Sequence, residues 1–297
     1  MTLSRRDVYF IAFSFVLFTF MAKPILAVVE FALDTENKHA SQIVLIPFIT
    51  AALLFMNRKN IFKSVRYVPL PGVATIMLGI AIFVAGNMRS ANFIEGDYLA
   101  LMTLSLLVMW LGGFLLFYGS VAFRTALFPL LFLAFCIPIP NAILERTITF
   151  LQHGSADMTY VLLKLTGTPV YREGVVFTLP NLVIEVAPQC SGIRSAISLF
   201  ILSILAGHLM LRSSWRWGVM LLVTIPIVLL KNALRITTLS LLAVHVDKAI
   251  LTSRLHREGG IPFFVLGLLL IYPVLAMLIR SERKNPKASL ISREAES

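Results

Sequence analysis

Charge is scarce in this sequence. Asp, Glu, Lys and Arg together make up 14% of 297 residues, against 58% hydrophobic, a balance that excludes a soluble globular domain of this length. Cysteine is nearly missing: Cys136 and Cys190 are the two present, too few for a disulfide framework. Metal-ligand spacing is missing as well. His245 and Asp247 stand close together, but there is no third ligand at metal-like spacing and no His-Glu-x-x-His element, so neither a metal nor another cofactor is expected. Nor is there an internal repeat, a low-complexity tract or a second soluble domain.

Apolar sequence takes their place. Runs long enough to cross roughly 30 Å of hydrocarbon lie near 8–31, 40–56, 69–87, 98–118, 121–139, 191–211, 215–235 and 261–280. They predict an all-α polytopic membrane protein with about eight transmembrane helices. The formal net charge of +11 points to topology rather than to nucleic acid. Arg5 and Arg6, then Arg58, Lys59, Lys63 and Arg66, then Arg124, then Arg212 and Arg216, and finally Arg280, Arg283, Lys284, Lys287 and Arg293 fall in alternate loops or tails. Such alternation puts both termini on the cytoplasmic side. The first run is too long for a removable signal peptide and lacks a small-residue cleavage site, so it reads as a span that stays.

In this orientation the longest hydrophilic connection, roughly 140–190, is extracytoplasmic, as are the far end of the seventh run and the loop 246–260. In "NAILERTITFLQHGSADMTYVLLKLTG" apolar residues recur at helical spacing between polar ones, which predicts an amphipathic helix on the outer surface. In "EGVVFTLPNLVIEVA" two β-branched runs are split by Pro180 and Asn181, which predicts a small β-hairpin. Elsewhere, Lys23 reads as a lysine snorkelling to the outer surface, Cys136 as a small buried hydrophobe, and His208 as a packed or snorkelling histidine near the cytoplasmic end of its helix.

The hairpin leads into "EVAPQCSGIRSAISLF", residues 185–200. Pro188 and Gln189 break the extended run, Cys190, Ser191 and Gly192 are small, and a helix begins at Ile193, so the thiol is placed at a helix mouth. The thiolate, not the thiol, is the nucleophile, and both a helix N-terminus and a neighbouring cation favour it. Arg235 lies where a helix from Trp217 has risen roughly 30 Å, the depth of the outer surface. His256 precedes the eighth run on the same side. Thiol, guanidinium and imidazole thus converge on one level, and attack on a carbonyl needs a nucleophile, an oxyanion donor and an acid. Arg194, one turn past Cys190, supplies a second cation, as a partner for the thiolate or a clamp for an acidic substrate. Glu185 either orients Arg194 or Arg235 or sits on an exposed face of the hairpin. His245 is a rival base, although it has no glycine four residues on.

"CSGIRS" at a helix start, "NALRI" after one more span and "HREGG" before the last span together resemble the exosortase and archaeosortase family of multi-spanning membrane cysteine transpeptidases. Its Cys-Ser-Gly, Asn-x-x-Arg-Ile and His-x-x-x-Gly motifs are met at Cys190, at Asn232 to Ile236 and at His256 to Gly260, within roughly 135–280. The resemblance implies an enzyme of the cell inner membrane with its site on the extracytoplasmic face. It would cut exported proteins that carry a C-terminal sorting tail: a Pro-Glu-Pro-like motif, a transmembrane helix and a basic cluster. The cut passes through a thioester, and the new C-terminus goes to an acceptor. Cys190 would be the nucleophile, Arg235 the stabiliser of thiolate or oxyanion, and His256 acid and base, while Arg194, Glu185 and Asn232 are assigned to the substrate. The expected organisation is one membrane domain, with scaffold helices over 1–139, an extracytoplasmic segment over 140–189, catalytic helices over 190–280 and a basic cytoplasmic tail over 281–297. Three other readings compete: a transporter using intramembrane Lys231 and Arg235, a membrane protease that only hydrolyses, and a serine protease built on Ser191 or Ser195. Neither serine lies in a Gly-x-Ser-x-Gly context.

Overall fold

The computed structural model describes residues 4–34, 37–63, 65–247, 249 and 260–284. Its helices are α1 (Arg5–Phe20), α2 (Ala22–Leu33), α3 (Ile46–Met56), α4 (Arg58–Ile61), α5 (Pro69–Met88), α6 (Glu95–Thr125), α7 (Leu127–Phe132), α8 (Asn141–Leu165), α9 (Ile193–Met210), α10 (Ser214–His245) and α11 (Gly260–Lys284). Among the described residues six helical segments are long and apolar enough to cross a membrane, or up to eight if each of two bent pairs is one span. The protein is an all-α polytopic membrane protein that also carries a small three-stranded sheet. It divides into two compact units, Met1–Leu144 and Glu145–Ser297.

Two expected spans are interrupted. The first bends by 70° between α1 and α2. Pro24 explains the break, because its ring clashes with the carbonyl four residues back, that of Phe20, where α1 stops. The run 121–139 is no single helix either. α6 continues through it to Thr125 across a non-helical Gly119 at φ 85°, and α7 and a 3-10 turn, Leu133–Cys136, follow. The seventh run errs the other way: α10 persists ten residues beyond Arg235, to His245.

In the first unit α5 lies against α6 through glycines seven residues apart. A Cβ at Gly72 would sit 2.6 Å from Leu116 Cα, and one at Gly79 would sit 2.9 Å from the Met109 backbone nitrogen. Close backbone approach of this kind replaces the missing hydrophobic drive between helices in lipid. α1 is held to α6 by rings and by two polar ties. Phe10 packs on Trp110, Phe114 and Tyr118, the Tyr118 hydroxyl donates to Asp7 (3.0 Å), and Trp110 Nε1 donates to Ser14 (3.1 Å).

In the second unit α9, α10 and α11 share a core of Leu199, Met220, Val228, Leu229, Ile271 and Leu275. Thr224 on α10 donates to Ser203 on α9 (2.9 Å). Arg216, which the charge pattern treats as a loop cation, is 5% exposed and pairs with Glu282 (3.5 Å). The Glu282 carboxylate also accepts from the Arg212 N–H, so one acidic residue ties the start of α10 to α11.

The expected hairpin forms, as β2 (Val176–Leu179) and β3 (Leu182–Glu185), joined by Pro180 and by Asn181 at φ 59°, the left-handed turn conformation that asparagine tolerates. A third strand, β1 (Tyr171–Glu173), extends it to an antiparallel sheet of order β1-β2-β3. The expected amphipathic helix is α8, whose buried residues Leu151, Ser155, Ala156, Thr159 and Leu163 fall on one helical face. Ala156 and Leu163 pack with Phe177, Leu179 and Val186 of the sheet segment and Ile236 of α10, and Arg172 on β1 reaches Asp157 on α8 (2.7 Å). The sheet is thereby fixed beside the exposed-to-buried boundary where the chain turns into α9.

Candidate active site

Cys190 closes a 3-10 turn, Pro188–Cys190, and α9 starts three residues later. Gly192 stands between them at φ 76°. That left-handed conformation is open to glycine at little cost, and a Cβ there would lie 2.8 Å from Asn232 Oδ1. Two reasons thus require glycine at this position. The close approach brings α10 onto the backbone of the cysteine turn.

Asn232 makes that contact. Its two amide hydrogens serve the Cys190 carbonyl (3.0 Å) and Ser155 Oγ on α8 (3.0 Å), and it is 0% exposed. Ser155 is 0% exposed too. Gln152, three residues before it on the same face of α8, donates to the carbonyl of Val186. The cysteine turn is therefore held at both ends, at Val186 by α8 and at Cys190 by α10 and α8 together.

Cys190 and Arg235 line one pocket of about 40 Å³ with Ile184, Glu185, Val186, Ile236, Leu239 and Ser240. Glu185, Cys190 and Arg235, from three elements, thus border one small cavity. Chemically it offers a nucleophile, a donor for a developing negative charge and an acidic group at the rim, since Glu185 is exposed. Arg194 is exposed on the first turn of α9 and is not among the pocket-lining residues. His245 is exposed at the end of α10, roughly 15 Å along that helix from Arg235. His256 lies outside the described residues.

The remaining polar groups near the turn fall as follows. Ser191 is 0% exposed, and its Oγ has no hydrogen-bond partner among the described residues. Ser195 donates to the Gly192 carbonyl (3.0 Å) and accepts from Lys231 Nζ. Lys231 is 2% exposed, with its stem beside Gly267 of α11. Cys136 is half-buried against Val28, Ala32 and Leu99 of the first unit, as expected of a small hydrophobe. His208 is exposed with its ring near Trp217, and Lys23 is exposed. No group of three metal-ligating side chains occurs among the described residues.

Sequence reasoning missed Ser155, Gln152 and the Lys231–Ser195 contact. A signal for the first existed: Ser155 and Thr159 are polar residues four apart on the otherwise apolar stripe of α8, where a polar group needs a partner. The family model for the transmembrane exosortases matches residues 34–273, which include Cys190, Asn232, Arg235 and His256. Among curated proteins and among solved structures nothing matches the chain.

Proposed function

The chain belongs to the transmembrane exosortase family, and from that premise we propose that it is a membrane cysteine transpeptidase acting on exported proteins that carry a C-terminal sorting tail. One observation carries the proposal: Cys190 and Arg235, on different elements, border the same pocket. Cys190 attacks the scissile carbonyl between the client's Pro-Glu-Pro-like motif and its transmembrane helix. The planar guanidinium of Arg235 donates to the oxyanion. His256 protonates the leaving amine, which gives a thioester, and then takes the proton of the acceptor that resolves it. Arg194 and Glu185 meet the client's polar motif at the rim. Asn232 acts on the substrate through the nucleophile, because both of its N–H groups are directed to Cys190 and Ser155.

The proposal places the pocket on the extracytoplasmic face of the cell inner membrane, with both termini cytoplasmic and 1–139 serving as scaffold. The alternation of basic loops supports that orientation. It is tested with an exported reporter bearing the motif, a transmembrane helix and a basic tail, co-expressed with the protein and followed by intact mass of its C-terminus. The parent protein should give a product cut before the helix and carrying an acceptor mass, whereas Cys190→Ala, present at a normal level, should leave the reporter whole. A free carboxylate at the cut would reduce the activity to hydrolysis. Cutting by Cys190→Ala would end the cysteine reading, and labelling of Cys190 by a membrane-impermeant maleimide only from the cytoplasmic side would invert the topology.

A further inference from the structure

The pocket is too small to hold a peptide. Its volume of about 40 Å³ has room for a few water-sized groups at about 10–15 Å³ each, not for several residues of an extended chain. Recognition of an extended chain must therefore happen beside it, and the sheet supplies the means.

β3 pairs with β2 and with no other strand among the described residues, so one of its edges is open. The register settles which backbone groups face that edge. Val186 N–H donates to the carbonyl of Val175 (3.0 Å), which makes Val176 and Glu185 a non-hydrogen-bonded pair and turns the backbone groups of Leu182, Ile184 and Val186 toward β2. Those of Val183 and Glu185 consequently turn outward. The Glu185 carbonyl is taken by Ala187 N–H (3.0 Å). Val183 N–H, Val183 C=O and Glu185 N–H remain directed to the open side, and Val183 is 65% exposed.

The pocket adjoins the last part of this strand: Glu185, whose N–H faces the open side, borders the cavity together with Ile184 and Val186. The same cavity ends on Cys190 and Arg235. An unpaired strand edge is a template for another chain, and peptide recognition by strand addition takes its affinity from main-chain hydrogen bonds.

We propose that the open edge of β3 receives the client as an added strand, paired through Val183 and Glu185 so that the carbonyl to be attacked arrives at Cys190. The proposal rests on the transpeptidase reading for the identity of its occupant, the extended segment just before the scissile bond. It makes recognition depend on one client N–H, which meets the Val183 carbonyl, and on two client carbonyls, which accept from Val183 N–H and Glu185 N–H.

The test uses synthetic peptides spanning the reporter's cleavage segment, N-methylated at one position after another, with binding to full-length Cys190→Ala protein in lipid nanodiscs read by fluorescence anisotropy. Methylation should alternate in effect around one position: it should weaken binding about two- to tenfold, the worth of a net hydrogen bond, where the client N–H meets the Val183 carbonyl, and be silent at the two adjacent positions, whose N–H groups point away from β3. Val183→Pro in the same protein should weaken the unmethylated peptide to a similar extent, because it removes one outward N–H and no rung of the β2–β3 ladder; Val183→Thr should not. Absent binding, uniform sensitivity to methylation, or a Val183→Pro protein that binds like its parent overturns strand addition. Cleavage of the unmethylated peptide by protein with Cys190 intact is followed in parallel. Cleavage without alternation sinks the strand and spares the transpeptidase reading; alternation without cleavage does the reverse.

Discussion

The two units bury different chemistry. Among the described residues the buried polar or charged side chains of the first unit are Thr50 and Ser105, whereas the second holds the rest, including Ser155, Ser191, Arg216, Lys231 and Asn232. The first unit packs through Gly72 and Gly79 and through a cluster of rings around Phe114. That solution buries few polar groups, and its ties from Tyr118 to Asp7 and from Trp110 to Ser14 are only part-buried. The second unit accepts the larger cost of burying polar groups and offsets it pairwise: Lys231 on Ser195, Arg216 on Glu282, Thr224 on Ser203, Asn232 on Cys190 and Ser155. Such contacts in membrane proteins contribute on average only about 0.6 kcal/mol each. Their value in this chain is positional, since Asn232, itself held by Ser155, fixes the carbonyl of Cys190.

That contrast can be broken from either side. The largest effect is expected at the two histidines of the second unit: His256→Ala should lower reporter processing by about 10²–10⁴-fold, the range for loss of a general acid–base, while His245→Ala keeps most of it. Equal membrane levels, checked by immunoblot, are the control. An inactive His245→Ala beside an active His256→Ala would reverse the assignment. Next comes Arg235→Lys, which keeps the charge and loses the planar fork. It should cost at least about tenfold in processing, by analogy with removal of an oxyanion donor, and near-normal turnover would make Arg235 an anchor only.

Glycines give the sharpest pairing of the two units. Gly192→Ala should reduce processing by about tenfold, because a left-handed backbone at a non-glycine residue costs on the order of 1–2 kcal/mol and the new Cβ presses on Asn232. Gly79→Ala should lower the melting temperature in detergent and leave the rate per folded molecule unchanged. If Gly79→Ala alters that rate while Gly192→Ala does not, the division of labour fails. The smallest effect is expected from two buried serines. Ser155→Ala should slow processing about two- to tenfold, whereas Ser105→Ala, which removes only a bond to the Met102 carbonyl of its own helix, should be silent in the same assay.

Much of the site was legible because it is local. The turn at Pro180 and Asn181, the helix start after Gly192 and the amphipathic stripe of α8 each follow from a few neighbouring residues. So did the position of Cys190 at the junction. Other features were hidden by distance along the chain: Asn232 meets Ser155 across 77 positions, and Glu282 meets Arg216 across 66. The extension of α10 to His245 was obscured by Arg235 itself, since a cation after a long apolar run resembles the end of a span. Ile236, Leu239 and Ala243 on a buried face carry the helix onward.

Hydrophobic runs and the alternation of basic loops determined from sequence alone that the chain is a polytopic membrane protein, because transfer of apolar residues from water to lipid is a property of the residues themselves. The order of the three motifs was likewise a matter of sequence. Only the tertiary structure decided which groups share the pocket and which edge of the sheet opens beside it. Those depend on how α8 and α10 approach the cysteine turn, and that approach is set by side-chain shape and by hydrogen bonds between residues far apart in the chain.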